Sequence, residues 1–201
     1  MKFSKALSFL IILFAFSQLR AQETVEKVIA DQYIPAYCAC LEENREASAE
    51  QLLTTVSLKC GLQFAMKNFK KLQEVIDEKF PDMTQDEQYE AGKLLGGDIK
   101  IKAAARIVKE CEVHRKALIE FNKELSANTS IPDIKEEIAR LNQQLQSGSK
   151  RSQAETYLTI GALLEKAGDD KGAMEAYEKS DKAKPSAIAR GFKVLLEMKA
   201  N

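Results

Sequence analysis

The sequence predicts an all-α protein, and three observations carry that prediction. Glycine and proline number only 9 and 4 in 201 residues, so little in the chain interrupts a helical backbone. Lysine, glutamate, alanine and leucine, all good helix formers, abound. Apolar residues recur at three- and four-residue steps, the spacing that lines one side of a helix. In outline the chain reads as a signal peptide over 1–21, a disulfide-stapled helical domain over 22–126, and a helical hairpin with flanking cover helices over 131–201.

Lys2 and Lys5 give the N-terminus a positive start, Phe9 to Phe16 form an unbroken apolar run, and Ala21 offers a small residue at a cut. Leu19 is larger than the ideal residue two places before it, so the cut could shift by a few residues. The apolar run falls well short of the ~20 residues that span a bilayer. The expectation is export to the periplasm or outside the cell, with no stable membrane span after cleavage. No cysteine follows the cut directly, which argues against a lipid anchor there. Lys2, Lys5 and Arg20 would leave with the signal, so 27 basic residues face 30 acidic ones in the remainder. That balance argues against nucleic acid as a partner, because phosphate binding needs a basic surface.

The elements follow in order. A first helix over 23–45 contains Pro35, which should kink or divide it. Ser48 with Gln51 forms a capping box and opens a second helix over 49–79 that stops before Phe80-Pro81-Asp82. Within it Val56, Leu58, Cys60, Leu62, Phe64 and Met66 alternate like a strand, but no second alternating segment exists to pair with them, so helix is preferred. Thr84 with Glu87 opens a third helix, which meets Gly96-Gly97 and a possible new cap at Asp98. Ala104, Ile107, Cys111, His114, Leu118, Phe121 and Leu125 then form one continuous core-facing stripe. After a linker at 126–130, Ile131, Ile134, Ile138, Leu141 and Leu145 form another stripe, which could also serve as a seam for self-association. A polar linker over 146–151 follows, and Ser152 with Glu155 signals the next helix. A last amphipathic helix lies near 186–199, with Ile188, Phe192, Leu195 and Leu196 on one side.

Between these last signals, residues 154–187 carry the most specific pattern. Tyr157, Ile160, Leu164 and Tyr177 place bulk along the seam of an antiparallel helix pair. Gly161 and Ala173 let the backbones approach, Gly168 with Asp169-Asp170 makes the turn, and Pro185 ends the second helix. The spacing resembles one tetratricopeptide repeat, with its 34-residue period. Eight of nine positions fit, and Ser180 departs where the family has alanine. The resemblance implies a non-catalytic scaffold or adaptor that contacts another protein through the groove of the pair. Thr156, Thr159 and Leu163 lie off the seam and are expected to face that partner. A single repeat cannot cover its own apolar face, so the helices over 131–146 and 186–199 are expected to cover it.

The four cysteines, Cys38, Cys40, Cys60 and Cys111, precede the repeat, and an even count in an exported chain points to disulfides. A Cys38–Cys40 bond would close a very small ring. Two pairings remain open: Cys38–Cys60 with Cys40–Cys111, or Cys38–Cys111 with Cys40–Cys60. On a helix Cys38 and Cys40 sit about 200° apart and should face different neighbours. The alternative reading makes Cys38-Ala39-Cys40 a periplasmic redox or soft-metal motif, with Cys60, Cys111 and His114 as further ligands. Against it stand the nearby acids Asp31, Glu42 and Glu43, which oppose a thiolate, and the lack of a metal-binding C-x2-C pair. His114, the sole histidine, lies on the core stripe and is expected to be satisfied by a local hydrogen bond, with Glu110 one turn away as a partner. No nucleophile motif, phosphate loop or second histidine appears. The chain is therefore expected to be no enzyme and to need neither cofactor nor metal.

Overall fold

The computed structural model describes residues 32–79, 81–82, 84, 86–87 and 103–200. The expected signal peptide and the Gly96-Gly97 break lie outside them. Among the described residues every regular element is helical. Helix α1 is Ile34–Glu43, entered through a π turn at 32–33. Pro35 falls in its first turn, where the missing N–H costs nothing. Helix α2 runs through Ala49–Gln51, a π segment Leu52–Val56 and Ser57–Lys67, and α3 is Phe69–Lys79. Helix α4 covers 103–110 and α5 is Glu112–Ser126. A 3-10 turn, Ile131–Asp133, leads into α6, Ile134–Gln144. The chain ends with α7, Lys150–Lys166, α8, Asp170–Ala183, and α9, Ala187–Ala200.

Local chemistry sets most of these boundaries. The Ser48 capping box is reciprocal: Gln51 N–H donates to Ser48 Oγ at 3.3 Å and Ser48 N–H to Gln51 Oε1 at 3.2 Å. Thr84 N–H donates to Glu87 Oε2 at 2.8 Å, as its spacing predicts. The cap of α7 corrects the expectation. Ser149, with extended backbone, accepts from Ser152 N–H at 3.3 Å, so the helix starts before Ser152. Glu155 pairs with Arg151 instead of completing a box. Two long helices are also broken. The predicted 49–79 helix divides at Asn68, whose side chain caps by donating to the Phe64 carbonyl at 2.9 Å. The stripe over 104–125 divides at Cys111, which leaves helical geometry at φ −108° and ψ 98°.

Despite that break, Ala104, Ile107, Cys111, His114 and Leu118 all remain in the interior. Packing explains why: α5 lies at the centre. One cluster joins Tyr37 and Leu41 of α1, Leu53 and Cys60 of α2, Val108 of α4, Leu118 of α5, Tyr177 of α8 and Phe192 of α9. A second, smaller cluster joins Ile134 and Leu141 of α6 to Ile160, Leu163 and Ala176 of the helix pair. The expected covers, α6 and α9, therefore do cover the pair, and α5 is a third. Asn122 of α5 donates to Glu165 of α7 at 2.6 Å. Lys166 of α7 donates to the carbonyls of Ser126 and Thr129, both at 2.8 Å, placing a cation at the negative end of α5. Because Ile134 and Leu141 are buried within the molecule, Ile131 is the one large apolar residue of that stripe left exposed. On the opposite side of the molecule's core face of α2, Leu58, Leu62 and Met66 are exposed, as is Phe69 of α3.

Candidate functional site

Several of the repeat-like residues meet between α7 and α8. Gly161 of α7 lies against the Tyr177 ring so closely that a Cβ there would fall 2.2 Å from a ring carbon. Ala173 and Tyr177 are fully buried, Ile160 is buried, and Leu164 packs against both clusters. Gly168 turns the chain at φ +83°, a conformation that favours glycine. Asp169 then caps α8 by accepting from Gly172 N–H at 2.9 Å. Pro185 follows the end of α8, and the residue before it, Lys184, is extended, as a proline requires of its predecessor. Tyr157 is half-buried, with the Lys179 ammonium 6.0 Å from its ring centre. Ser180, the departure from the family pattern, has a physical use: its hydroxyl donates to the Ala154 carbonyl at 2.9 Å and ties α8 to α7.

The expected partner-facing residues need correction. Leu163 is fully buried under α6. Thr156 and Thr159 are half-buried and turn their hydroxyls back to the Ser152 and Glu155 carbonyls of their own helix. The missed factor is α5, which packs on α7 in addition to the expected cover α6. An open groove of about 680 Å³ lies elsewhere, between the end of α1, the start of α2 and α5. Leu52, Val113, Ala117 and Ile119 supply apolar lining, and Arg45, Glu112, Lys116 and Glu120 charge its edge. Ile119 falls off the core stripe and is 41% exposed; an apolar residue off the stripe was the signal available in the sequence.

The cysteines separate as their helical angle predicts. Cys40 is bonded to Cys60, with Cα atoms 5.7 Å apart, which staples α1 to α2. The C-x-C pair is thus not a unit, contrary to the alternative reading. Cys38 points instead to Cys111, and the two side chains interact directly as thiols. This interaction, with burial, pushes the Cys38 thiol well up, and it lowers that of Cys111. Cys111 stands at the N-terminus of α5, beside the His114 backbone N–H, with Arg115 adding positive potential against an opposing Glu42.

Next to the thiols, the Tyr37 hydroxyl lies 2.8 Å from Ser57 Oγ and 3.2 Å from His114 Nδ1. A phenol has one proton, so it donates to one neighbour and accepts from the other according to the imidazole tautomer. His114 is buried as expected, but Glu110 is not its partner; it pairs with Arg106 at 2.8 Å. Burial pushes the Tyr33 phenol up to about 12 and raises Tyr37 as well. Tyr33, Tyr37 and Leu41 share a four-residue step, so their place in the core was readable in the sequence; the link from Tyr37 to Ser57 was not.

Among the described residues, no three His, Cys, Asp or Glu side chains converge to hold a metal ion. No described helix is long and apolar enough to cross a membrane. Comparison with family models, with curated proteins and with solved structures found no match.

Proposed function

We propose that the chain is an exported, non-catalytic protein-interaction module, and that its partner binds the groove between α1, α2 and α5. The observation that carries this reading is the groove itself. Ile119 opens to solvent and Val113 is half-buried above the buried Leu52 and Ala117, and the rim charges pair along their own helices, Glu112 with Lys116 at 2.7 Å and Glu120 with Lys123 at 3.5 Å. Such exposed pairs contribute little to stability, so a partner could exchange them at low cost. Apolar contact inside a charged rim is the usual composition of protein interfaces. The tetratricopeptide-like spacing of 154–187 supports the same class of function, with the helix pair acting as a buttress for α5. The Cys40–Cys60 bond supports an oxidising compartment.

A photo-crosslinking residue placed at Ile119, with one at exposed Lys135 on α6 as control, tests the reading in the native host. A discrete adduct from position 119 that disappears when Lys116→Glu, at the exposed edge of the groove, is added would support it. Equal adducts from both positions would sink it.

A further inference from the structure

Two sulfur pairs occupy one small region, and their surroundings differ. Cys40 and Cys60 both lie inside helices, on α1 and α2, away from any helix N-terminus. Cys111 occupies the N-cap position of the 15-residue α5, so charge on its sulfur meets the positive end of a helix dipole. Arg115 strengthens this, because its Nη1 is anchored by the Val108 and Lys109 carbonyls at 3.2 and 3.1 Å, at the junction Cys111 occupies. Exposure differs too: Cys111 is 2% exposed, whereas Cys38 is only half-buried.

We propose that Cys38 and Cys111 form an exchangeable disulfide, in which Cys38 is the sulfur that incoming thiols reach and Cys111 the sulfur that leaves. The partner class is a dithiol, on a protein or a small molecule. Its thiolate attacks Cys38 Sγ, the Cys38–Cys111 bond breaks, and the electron pair goes to Cys111 Sγ. A mixed disulfide on Cys38 and a Cys111 thiolate at the start of α5 result. The partner's second thiolate then attacks its own sulfur in the mixed disulfide and releases Cys38. The partner ends as a disulfide, and its two electrons and two protons reside on Cys38 and Cys111. The reverse sequence, with a disulfide-bearing partner, closes the bond.

Thiol–disulfide exchange quickens as the leaving thiol becomes more acidic, and a stabilised reduced form makes a disulfide more oxidising. Cys111 supplies both conditions. Cys60, buried mid-helix, supplies neither, so the second bridge is expected to hold where the first one opens. Glu110 opposes charge on Cys38 and Glu42 opposes charge on Cys111, so each sulfur faces one carboxylate, and only Cys111 has the helix end and Arg115 beside it.

The test is a glutathione titration of the intact native chain, with acid quenching, alkylation and peptide mapping. The expected result is that oxidised glutathione links Cys38 to Cys111. Mildly reducing mixtures should then free these two at least tenfold more readily than Cys40 and Cys60. In Cys111→Ser, glutathione should accumulate on Cys38, and in Cys38→Ser at least tenfold less should appear on Cys111. Arg115→Gln should slow reduction roughly threefold by making Cys111 a poorer leaving group. Two thiols that never join under oxidised glutathione would overturn the proposal. So would two bridges that open together. Both readings come from the unmutated chain, so they stand even if a variant fails to fold.

Discussion

Gly161 and Gly61 are both glycines within helices, yet their surroundings differ in opposite directions. A methyl group at Gly161 would press into the buried Tyr177 ring, whereas one at Gly61 meets nothing within 4 Å. Gly161→Ala should therefore destabilise by ~1–3 kcal/mol through overpacking, despite the better helix propensity of alanine. Gly61→Ala should stabilise by ~0.5–1 kcal/mol, since propensity acts alone there. Urea unfolding midpoints measure both, and the same sign for the two would refute this account of the α7–α8 seam. Gly161 was legible in the sequence because the seam spacing singles it out. Leu163, two residues later, was misread because the spacing of the pair does not say which of its residues the covering helix α6 presses on.

At the level of the helices, the amphipathic stripes were legible and the interruptions were not. Period and capping chemistry are local, so Ser48–Gln51 and Thr84–Glu87 could be read directly. The break at Cys111 interrupts a stripe that stays buried on both sides, whereas Phe69, just past the break at Asn68, is exposed. Nothing in the pattern marks either break. The pairing of Cys40 with Cys60 was half legible, since helical angle separates Cys38 from Cys40 but does not choose between partners. The helix most exposed to test is α9. Its Phe192 is fully buried, 5.0 Å from the Tyr177 ring and 6.4 Å from that of Phe121. Phe192→Ala should cost ~3–5 kcal/mol, as for other large buried aromatics. Because the core is shared, hydrogen exchange should show protection falling in α1 and α5 as well as in α8. Loss confined to α8 and α9 would mean that the larger cluster does not unfold as one unit.

The whole molecule carries a pH signature. Tyr33, Tyr37 and Tyr177 are all buried, and burial raises each phenol above its ordinary value of 10, Tyr33 to about 12. The unfolded chain releases these protons near pH 10, while the folded chain still holds them. Stability from this source is intact below pH 10 and is lost as pH rises toward and through the folded values. Each tyrosine contributes a slope of about 1.4 kcal/mol per pH unit in that window. Tyrosinate absorbance should show three of the five tyrosines ionising together with loss of the helical signal. Smooth ionisation of all five near pH 10, with helix retained, would contradict the buried placement.

The Cys40–Cys60 bond also governs how the chain can be drawn through a narrow pore. The bond spans 20 positions of sequence, so under tension it withholds about 65–70 Å of contour at full extension. Residues 41–59 carry no load. A threading protease or unfoldase that grips the C-terminus can strip α9 back to α5 as a single strand. With Cys38 and Cys111 as thiols, it first meets a closed loop at Cys60. To continue it must admit two strands side by side or wait for a reductant, and otherwise it releases a fragment that keeps α1 joined to α2.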